Sequence, residues 1–143
     1  MASAIANNWK ELLAGGVPNY SSDTFKGILM QPGFTFDKDN HEEYADISAQ
    51  ECPTLYGYTV GGQAMSGVSV TNDPVLDRTR IEWNNLSWSV SGGNLQAAGM
   101  IIIDDTIGSP DVDPIVGYID FGGTKTTYAG GTFTVANLAV NHA

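Results

Sequence analysis

Residues 92–123, GGNLQAAGMIIIDDTIGSPDVDPIVGYIDFGG, contain the most hydrophobic segment of the chain, 97–103, and a second apolar segment, 115–121. Short apolar runs that are rich in Ile and Val and bounded by turn residues are typical of β-strands. The stretch therefore predicts two buried strands joined by a long loop. The loop carries four acidic residues, Asp104, Asp105, Asp111 and Asp113.

Shorter strands are predicted on both sides of this pair. They cover 24–30, 63–71, 75–83 and 132–140, and Gly, Pro, Asn and Asp separate them. The apolar positions 86, 88 and 90 keep a period of two but are out of phase with 75–83, which predicts a bulge or break at Asn84 and Asn85. About seven to nine short strands predict a mainly β protein with an antiparallel β-sandwich or barrel-like fold.

The N-terminal residues 2–14 show the one clear helical pattern. A short amphipathic helix is predicted here, with four apolar side chains on one face: Ile5, Trp9, Leu12 and Leu13. We expect this face to bind a partner protein, because a single short helix is marginal in water. The alternative is that the face covers the β body of its own chain. The predicted organisation is a helical arm, 1–16, followed by a single β domain, 17–143.

The charge balance limits the possible partners. The chain of 143 residues has 16 acidic and 6 basic residues, which gives a net charge of −10. Such a protein repels nucleic-acid phosphates and anionic membrane surfaces, so neither is an expected partner. The acidity either provides solubility or forms a face that meets a basic partner or binds cations.

Cysteine content and the N-terminus indicate where the chain is made. A single cysteine, Cys52, rules out an intramolecular disulfide framework and fits synthesis in a reducing compartment. No signal peptide is apparent, and no segment approaches the roughly 20 apolar residues that span a bilayer. We therefore expect a soluble protein that is cytosolic when made.

The acidic loop invites a chemical interpretation that its spacing does not support. Calcium is bound by several carboxylates on one loop, but the ligand spacing of an EF-hand and its closing glutamate are missing. Asp104 and Asp120 could form a glycosidase-type pair, since both end predicted strands. Turn chemistry explains the loop better, and its carboxylates are expected to be solvated or to face a partner subunit. No cofactor or metal is predicted.

The residues needed for nucleophilic catalysis are scattered. His142 lies one residue from the end and is expected to be mobile, which makes it a poor general base. Cys52 could pair with His41, but neither a thiol-enzyme signature nor the ligand set of a zinc site is present. Trp83 and Trp88 could form a carbohydrate platform, although aromatic side chains at alternating strand positions are more often core.

Several segments, in this order, resemble a family of small virion proteins of tailed bacteriophages that decorate or cement the capsid. They are NNWKELLAGG, SDTFKGILM, HEEYADIS, the segment GYTVGGQ (57–63), RIEW, MIIIDDT, PIVGYIDFGG and the closing TFTV. The likeness covers nearly the whole chain, and each motif is short and structural. The C-terminus, ANLAVNHA, departs from the more usual glycine-containing apolar end, which leaves open whether it packs on the body or reaches a neighbour.

The resemblance implies a β-rich structural protein, a homotrimer bound to the major capsid protein on the outer surface of an icosahedral virion. It implies synthesis in the host cytoplasm and no catalytic residues. One alternative is a tail or head–tail connector component. Another is an adhesion module that binds host glycans through Tyr56, Tyr58 or Trp88, and an enzyme is the most distant alternative.

Overall fold

A computed structural model describes residues 4–142 of the chain. Across that range it contains ten strands in antiparallel sheets and two short α-helices, so the predicted mainly β class is confirmed. The elements are β1 (Ala4–Ile5), α1 (Asn7–Ala14), β2 (Phe25–Met30), α2 (Tyr44–Ile47), a 3-10 turn (Ser48–Gln50), β3 (Gln63–Ala64), β4 (Ser69–Asp73), β5 (Arg78–Glu82), β6 (Leu86–Ser89), β7 (Leu95–Asp104), β8 (Ile115–Thr127), β9 (Thr132–Val135) and β10 (Ala139–His142).

The centre of the domain is a five-stranded sheet in the order β1-β8-β7-β2-β3. Residues 27–30 of β2 and 99–103 of β7 are apolar and buried on both faces of the sheet, which explains why these parts of the strands do not alternate. Antiparallel pairing aligns Ile28 with Ile101, and Ile101 with Tyr118, so these three side chains share one face of the sheet.

Different layers cover the two faces of this sheet. On one face lie the sheets β10-β5-β4 and β6-β9, and the Trp83 ring contacts Phe25 with centroids 5.3 Å apart. On the other face the segment before α2 packs its aromatic rings, Phe34 and Phe36, on Tyr118 at 5.3 and 5.6 Å. The result is a sandwich-like packing of sheet on sheet, with one outer layer made of loop and short helix.

Strand β8 is longer than predicted because a glycine bulge lets it continue. Ala97 pairs with Lys125 and Gly99 pairs with Asp120, so residues 121–124 loop out opposite a single residue of β7. Gly122 and Gly123 adopt φ values of 76° and 135°, which side chains other than glycine rarely adopt. The pair of glycines therefore marks a bulge inside one strand, and not the end of the strand.

Three predicted strand boundaries were tested by the structure. The break at Asn84 and Asn85 is confirmed, because β5 and β6 belong to different sheets. The prediction of a strand starting at Val75 was wrong, since residues 74–77 form the hairpin turn and Val75 is 88% exposed. The single predicted strand 132–140 is two strands, interrupted where Asn137 takes a φ of 57°.

The N-terminal helix is shorter than predicted and is part of the domain core. It starts at Asn7, because residues 4 and 5 form β1 and pair with β8. This pairing requires Gly117, since a Cβ there would lie 2.5 Å from the Ala4 carbonyl oxygen. The Trp9 side chain is fully buried, with its ring 6.1 Å from Phe25. A division of the chain at residue 16 stays a prediction, but the packing of Trp9 ties the helix to the sandwich.

Replacing Trp9 with Ala should destabilise the whole domain. Trp9→Ala leaves a large cavity between α1 and the sheet, and such truncations cost roughly 3–5 kcal/mol. Denaturant unfolding followed by circular dichroism measures the loss. The control is Glu11→Ala on the exposed side of the same helix, which should change stability by about 0.5 kcal/mol or less. Equal stability of the two variants would contradict the packing described here.

Candidate functional site

Two acidic loops, 37–46 and 104–113, meet at one end of the molecule. The Val112 N–H donates to Glu43 Oε2 at 2.8 Å, and the Ile115 N–H donates to the Glu42 carbonyl at 2.8 Å. A backbone bridge between Glu43 and Pro114 joins the loops as well. We call their outward carboxylates the acidic face: Asp37, Asp39, Glu42, Glu43, Asp46, Asp105, Asp111 and Asp113.

The start of α1 completes this surface. Asn8 Nδ2 donates to Asp111 Oδ2 at 2.8 Å, and Asn7 donates to Asp39. These amides are neutral, so they position the carboxylates without cancelling their charge. The helix start and both loops therefore hold the acidic face as one surface.

The acidic face keeps a strong negative charge. Among residues 4–142, one ion pair involves this face and joins Lys26 to Asp105 at 3.3 Å, and the exposed Lys38 adds a second positive charge to the loops. The pKa of Asp113 is raised by partial burial and by the charge of Asp105, while Lys26 acts in the opposite direction. Within residues 4–142 no three His, Cys, Asp or Glu side chains form a group that could hold a metal ion. Clustered carboxylates of this kind produce a negative potential that attracts positively charged groups.

Asp104 behaves differently from the other loop carboxylates, and the expectation that it is solvated was wrong. It is the last residue of β7, is fully buried, and faces the same side of the sheet as Phe25. Asp104 Oδ1 accepts the Thr106 N–H at 2.9 Å, whereas Oδ2 has no N–H or hydroxyl donor among residues 4–142. The sequence predicts Asp104 in the loop, because Asp is rare in strands and usually solvated.

The Asp23 carboxyl lies within hydrogen-bonding reach of the Asp104 carboxyl. Two carboxyl groups form a hydrogen bond only when one of them keeps its proton. Burial, and then the hydrogen bond with Asp23, raise the pKa of Asp104 to about 7. The pair thus holds a proton that two separate, solvated carboxylates would lose near pH 4.

A second buried polar network adjoins this pair. Trp9 Nε1–H donates to Tyr20 Oη at 2.6 Å, and Tyr20 Oη lies 2.7 Å from His142 Nε2. The Tyr20 oxygen accepts from Trp9, and the direction of its hydrogen bond with His142 follows the tautomer of the imidazole. Burial, and then the charge of Lys10, lower the pKa of His142. The expected mobility of His142 was wrong, because the ring is held in β10.

The residue pairs considered for catalysis do not meet. The Asp104 N–H bonds the Pro114 carbonyl, so Asp104 and Asp120 are six β8 residues apart, or about 20 Å at roughly 3.3 Å per residue. Glycosidase carboxyls lie about 5–10 Å apart. Cys52 is buried, its thiol donates to the Gln96 carbonyl, and burial followed by the charge of Glu51 raises its pKa to about 12. The thiol is therefore protonated at neutral pH and is not placed as a nucleophile.

The four residues of the predicted docking face divide into two pairs. Trp9 and Leu12 are buried in the core, which is what the alternative, a helix that covers its own β body, requires. Ile5 and Leu13 are half-buried, and Ile5 lines a groove of about 600 Å³ next to His142. Partner binding by this face stays a prediction, and only Ile5 and Leu13 offer surface without movement of the helix.

Most of the aromatic side chains considered for a glycan platform are interior. Trp83, Trp88 and Tyr58 are buried, and of the residues considered only Tyr56 is exposed, at 39%. Tyr58 Oη donates to Glu51 Oε2 at 2.5 Å and accepts the Leu29 N–H at 3.1 Å. These rings are core, so a stacking surface built on them has no exposed face.

Sequence reasoning missed the role of Glu51. This carboxylate is buried, and it accepts hydrogen bonds from the Tyr44 and Tyr58 hydroxyls and from the Gly61 N–H at 2.8 Å. It fixes the segment 57–63 against the central sheet. No local sequence pattern identifies Glu51 as a buried acceptor. Its three donors lie 7 or 10 residues away along the chain, and only the fold brings them together.

Comparison of the chain with protein-family models, with curated proteins and with solved structures gives no match. Among residues 4–142, no helix is long and apolar enough to cross a membrane. The function is therefore argued from the motifs of the chain and from its surfaces.

Replacing Asp104 with Asn should remove a pH dependence of stability. Because the folded state binds the Asp104 proton more tightly than the unfolded chain does, stability is greatest below about pH 4 for this group. This contribution to the free energy of unfolding is lost as pH rises through about 7, where Asp104 releases its proton. Asp104→Asn keeps a neutral group that donates to Asp23, so the variant should be more stable than the parent at pH 8, by a few kcal/mol at most. Thermal melts from pH 4 to pH 8 measure the difference.

The matched control is Asp105→Asn, the neighbouring, partly exposed carboxyl. It should follow the parent curve, apart from the small loss of its ion pair with Lys26. An Asp104→Asn variant whose stability relative to the parent is the same at pH 4 and pH 8 would show that Asp104 does not hold its proton as described.

Proposed function

We propose that this protein is a structural component of a tailed-phage virion that binds the outside of the icosahedral capsid and stabilises it as a cement or decoration subunit. The observation that carries the proposal is the ordered series of segments, over nearly the whole chain, that resemble this family. Binding to the major capsid protein, self-association as a trimer and assembly in the host cytoplasm come from the same resemblance.

The placement of the family-like segments supports this proposal. MIIIDDT forms the end of β7, and PIVGYIDFGG forms most of β8 with its glycine bulge. The segment 57–63 is held by Glu51, and a Cβ at Gly62 would lie 2.1 Å from the Gly27 carbonyl oxygen. These segments build the central sheet and its immediate support, so the resemblance concerns the framework of the domain.

The acidic face is the surface that we propose docks on the capsid. It is broad, is built on backbone-bonded loops, and has little charge compensation. A shell that contains DNA must resist internal pressure, and subunits that bridge its neighbours add buried area without covalent bonds. Repetition of the contact over a symmetric lattice makes weak individual contacts sufficient.

The alternatives have less support. A tail or connector component would share the sequence features but would be present in few copies per virion. The glycan-binding alternative required Tyr56, Tyr58 or Trp88 at the surface, and two of these three rings are buried. No observation favours either one over the capsid.

Capsids that lack the protein provide the test of this function. Purified protein should co-sediment with them and restore their resistance to heat and low salt, with hundreds of copies bound per shell. If the protein did not bind such capsids but bound cells or glycan arrays, the result would contradict the proposal and favour an adhesion function.

A charge-neutralised variant tests the docking face itself. Glu42→Gln combined with Asp113→Asn removes two charges from the acidic face, and asparagine tolerates the positive φ of 51° at position 113. We expect capsid binding to weaken several-fold and to depend less on salt. The control, Glu11→Gln with Asp120→Asn, removes two charges outside the acidic face and outside the β4–β5 hairpin, and it should bind like the parent. Equal weakening by both variants would contradict docking through the acidic face.

A further inference from the structure

The β4–β5 hairpin projects from the sandwich without covering anything. Ser69, Val70, Thr71 and Asn72 of β4 are all exposed, although successive side chains of a strand point to opposite faces. Neither face of β4 therefore packs on the body. Pairing with β5, which is itself paired with β10, holds β4 in place, so both faces of β4 stay available for a contact in an assembly.

The tip of the hairpin is apolar. Val75 is 88% exposed and Leu76 is 59% exposed, and Val70 on the strand is 49% exposed. These three residues account for a third of the nine large hydrophobic side chains recorded as exposed in the described part of the chain. Their concentration on one projecting element indicates a contact surface, since scattered single apolar residues would need no explanation.

The outer edge of β4 is open. In the order β10-β5-β4 this strand is last, and among residues 4–142 its backbone pairs with β5 alone. Proteins usually protect such an edge with lysine, proline or a bulge. Residues 69–73 contain none of these, and the one charge, on Asp73, is paired with Arg78 at 3.2 Å.

The charge of the hairpin allows a second copy of the chain to be the partner. Residues 69–82 contain three acids and both arginines of the protein, so this hairpin carries a net charge of −1. The remaining residues carry −9, which makes two copies repel each other over most of their surface. The hairpin is the surface on which self-association meets the least repulsion.

We propose that two copies of the chain pair edge to edge through β4, antiparallel about a two-fold axis at Thr71. This register pairs all five residues: Ser69 with Asp73, Val70 with Asn72, and Thr71 with its own copy. It joins two three-stranded sheets into one six-stranded sheet. The pairing ends at Asp73, next to the turn that carries the exposed side chains of Val75 and Leu76.

The contact is independent of capsid binding. It is small, and interfaces of less than about 1,200 Å² are weak. It is distinct from the trimer contact of the proposed function: in solution it pairs two chains or two trimers, and on a shell it links neighbouring trimers. Because both copies are acidic, association should strengthen as salt rises, which is opposite to the salt dependence expected for docking of the acidic face.

Charge substitution at the two-fold axis tests the proposal by sedimentation velocity on the full chain from about 10 µM to 1 mM. Thr71→Lys places two lysines directly opposite each other, with Arg80 across from each on β5. We expect dimerisation about fivefold weaker than in the parent. Thr71→Glu supplies the opposite charge, and an equimolar mixture of the two variants should associate at least as well as the parent.

Recovery in the mixture separates repulsion from misfolding, because a hairpin that Thr71→Lys had unfolded would not be rescued by Thr71→Glu. The control Thr124→Lys makes the same change at an exposed position of the β8 bulge and should leave association unchanged. A parent protein of constant monomer mass over this range would overturn the proposal. A trimer unaffected by Thr71→Lys, or a mixture of folded variants that fails to associate, would overturn it equally.

Discussion

Pairing of β7 with β2 on one side and β8 on the other is the interaction on which the rest of the structure depends. Ile101, Ile102 and Ile103 have neighbours on both edges of β7 and on both faces of the sheet. Full burial of one such side chain stabilises the fold by roughly 1.5–3 kcal/mol. Every other layer is placed by the side chains that this sheet presents.

The two faces of the sheet explain the distribution of chemistry in the molecule. One face receives Trp83, Leu86 and the N-terminal helix, and it leads at its end to Asp104 and the network of Tyr20 and His142. The other face is covered by a loop layer that carries aromatic rings inward and carboxylates outward. Asp104 and the Tyr20–His142 network therefore lie on the sandwich side, where they act on stability, and the acidic face lies on the loop side.

Sequence periodicity was sufficient for the fold class and for the strands with a large buried area. The break at Asn84 and Asn85 was predictable because the phase of the apolar positions changes there. Val75 was misplaced because a β-branched residue beside an alternating run looks like a strand, whereas the turn at 74–77 is set by Pro74 and the positive φ of Asp77. The predicted helix was too long, because pairing of residues 4 and 5 with β8 outweighs helical periodicity, and local sequence does not encode that pairing.

The candidate sites were less predictable than the fold, because they depend on contacts between distant segments. Asp104 and Asp23 are 81 positions apart, and Glu43 and Val112 are 69 apart, so no local spacing reveals either contact. Acidity alone predicted that a negative surface exists, and the fold decided which carboxylates form it and which one keeps its proton. Glu51 could not be predicted for the same reason: it belongs to no sequence motif, yet it holds the segment 57–63.

The central functional claim is that this acidic β-sandwich covers the shell of a virion. A low-resolution image of the virion with this protein labelled tests it most directly. The account predicts label distributed over the whole outer surface of the icosahedral head in a regular array. Label confined to the tail or to a single vertex, or an unlabelled virion, would contradict it.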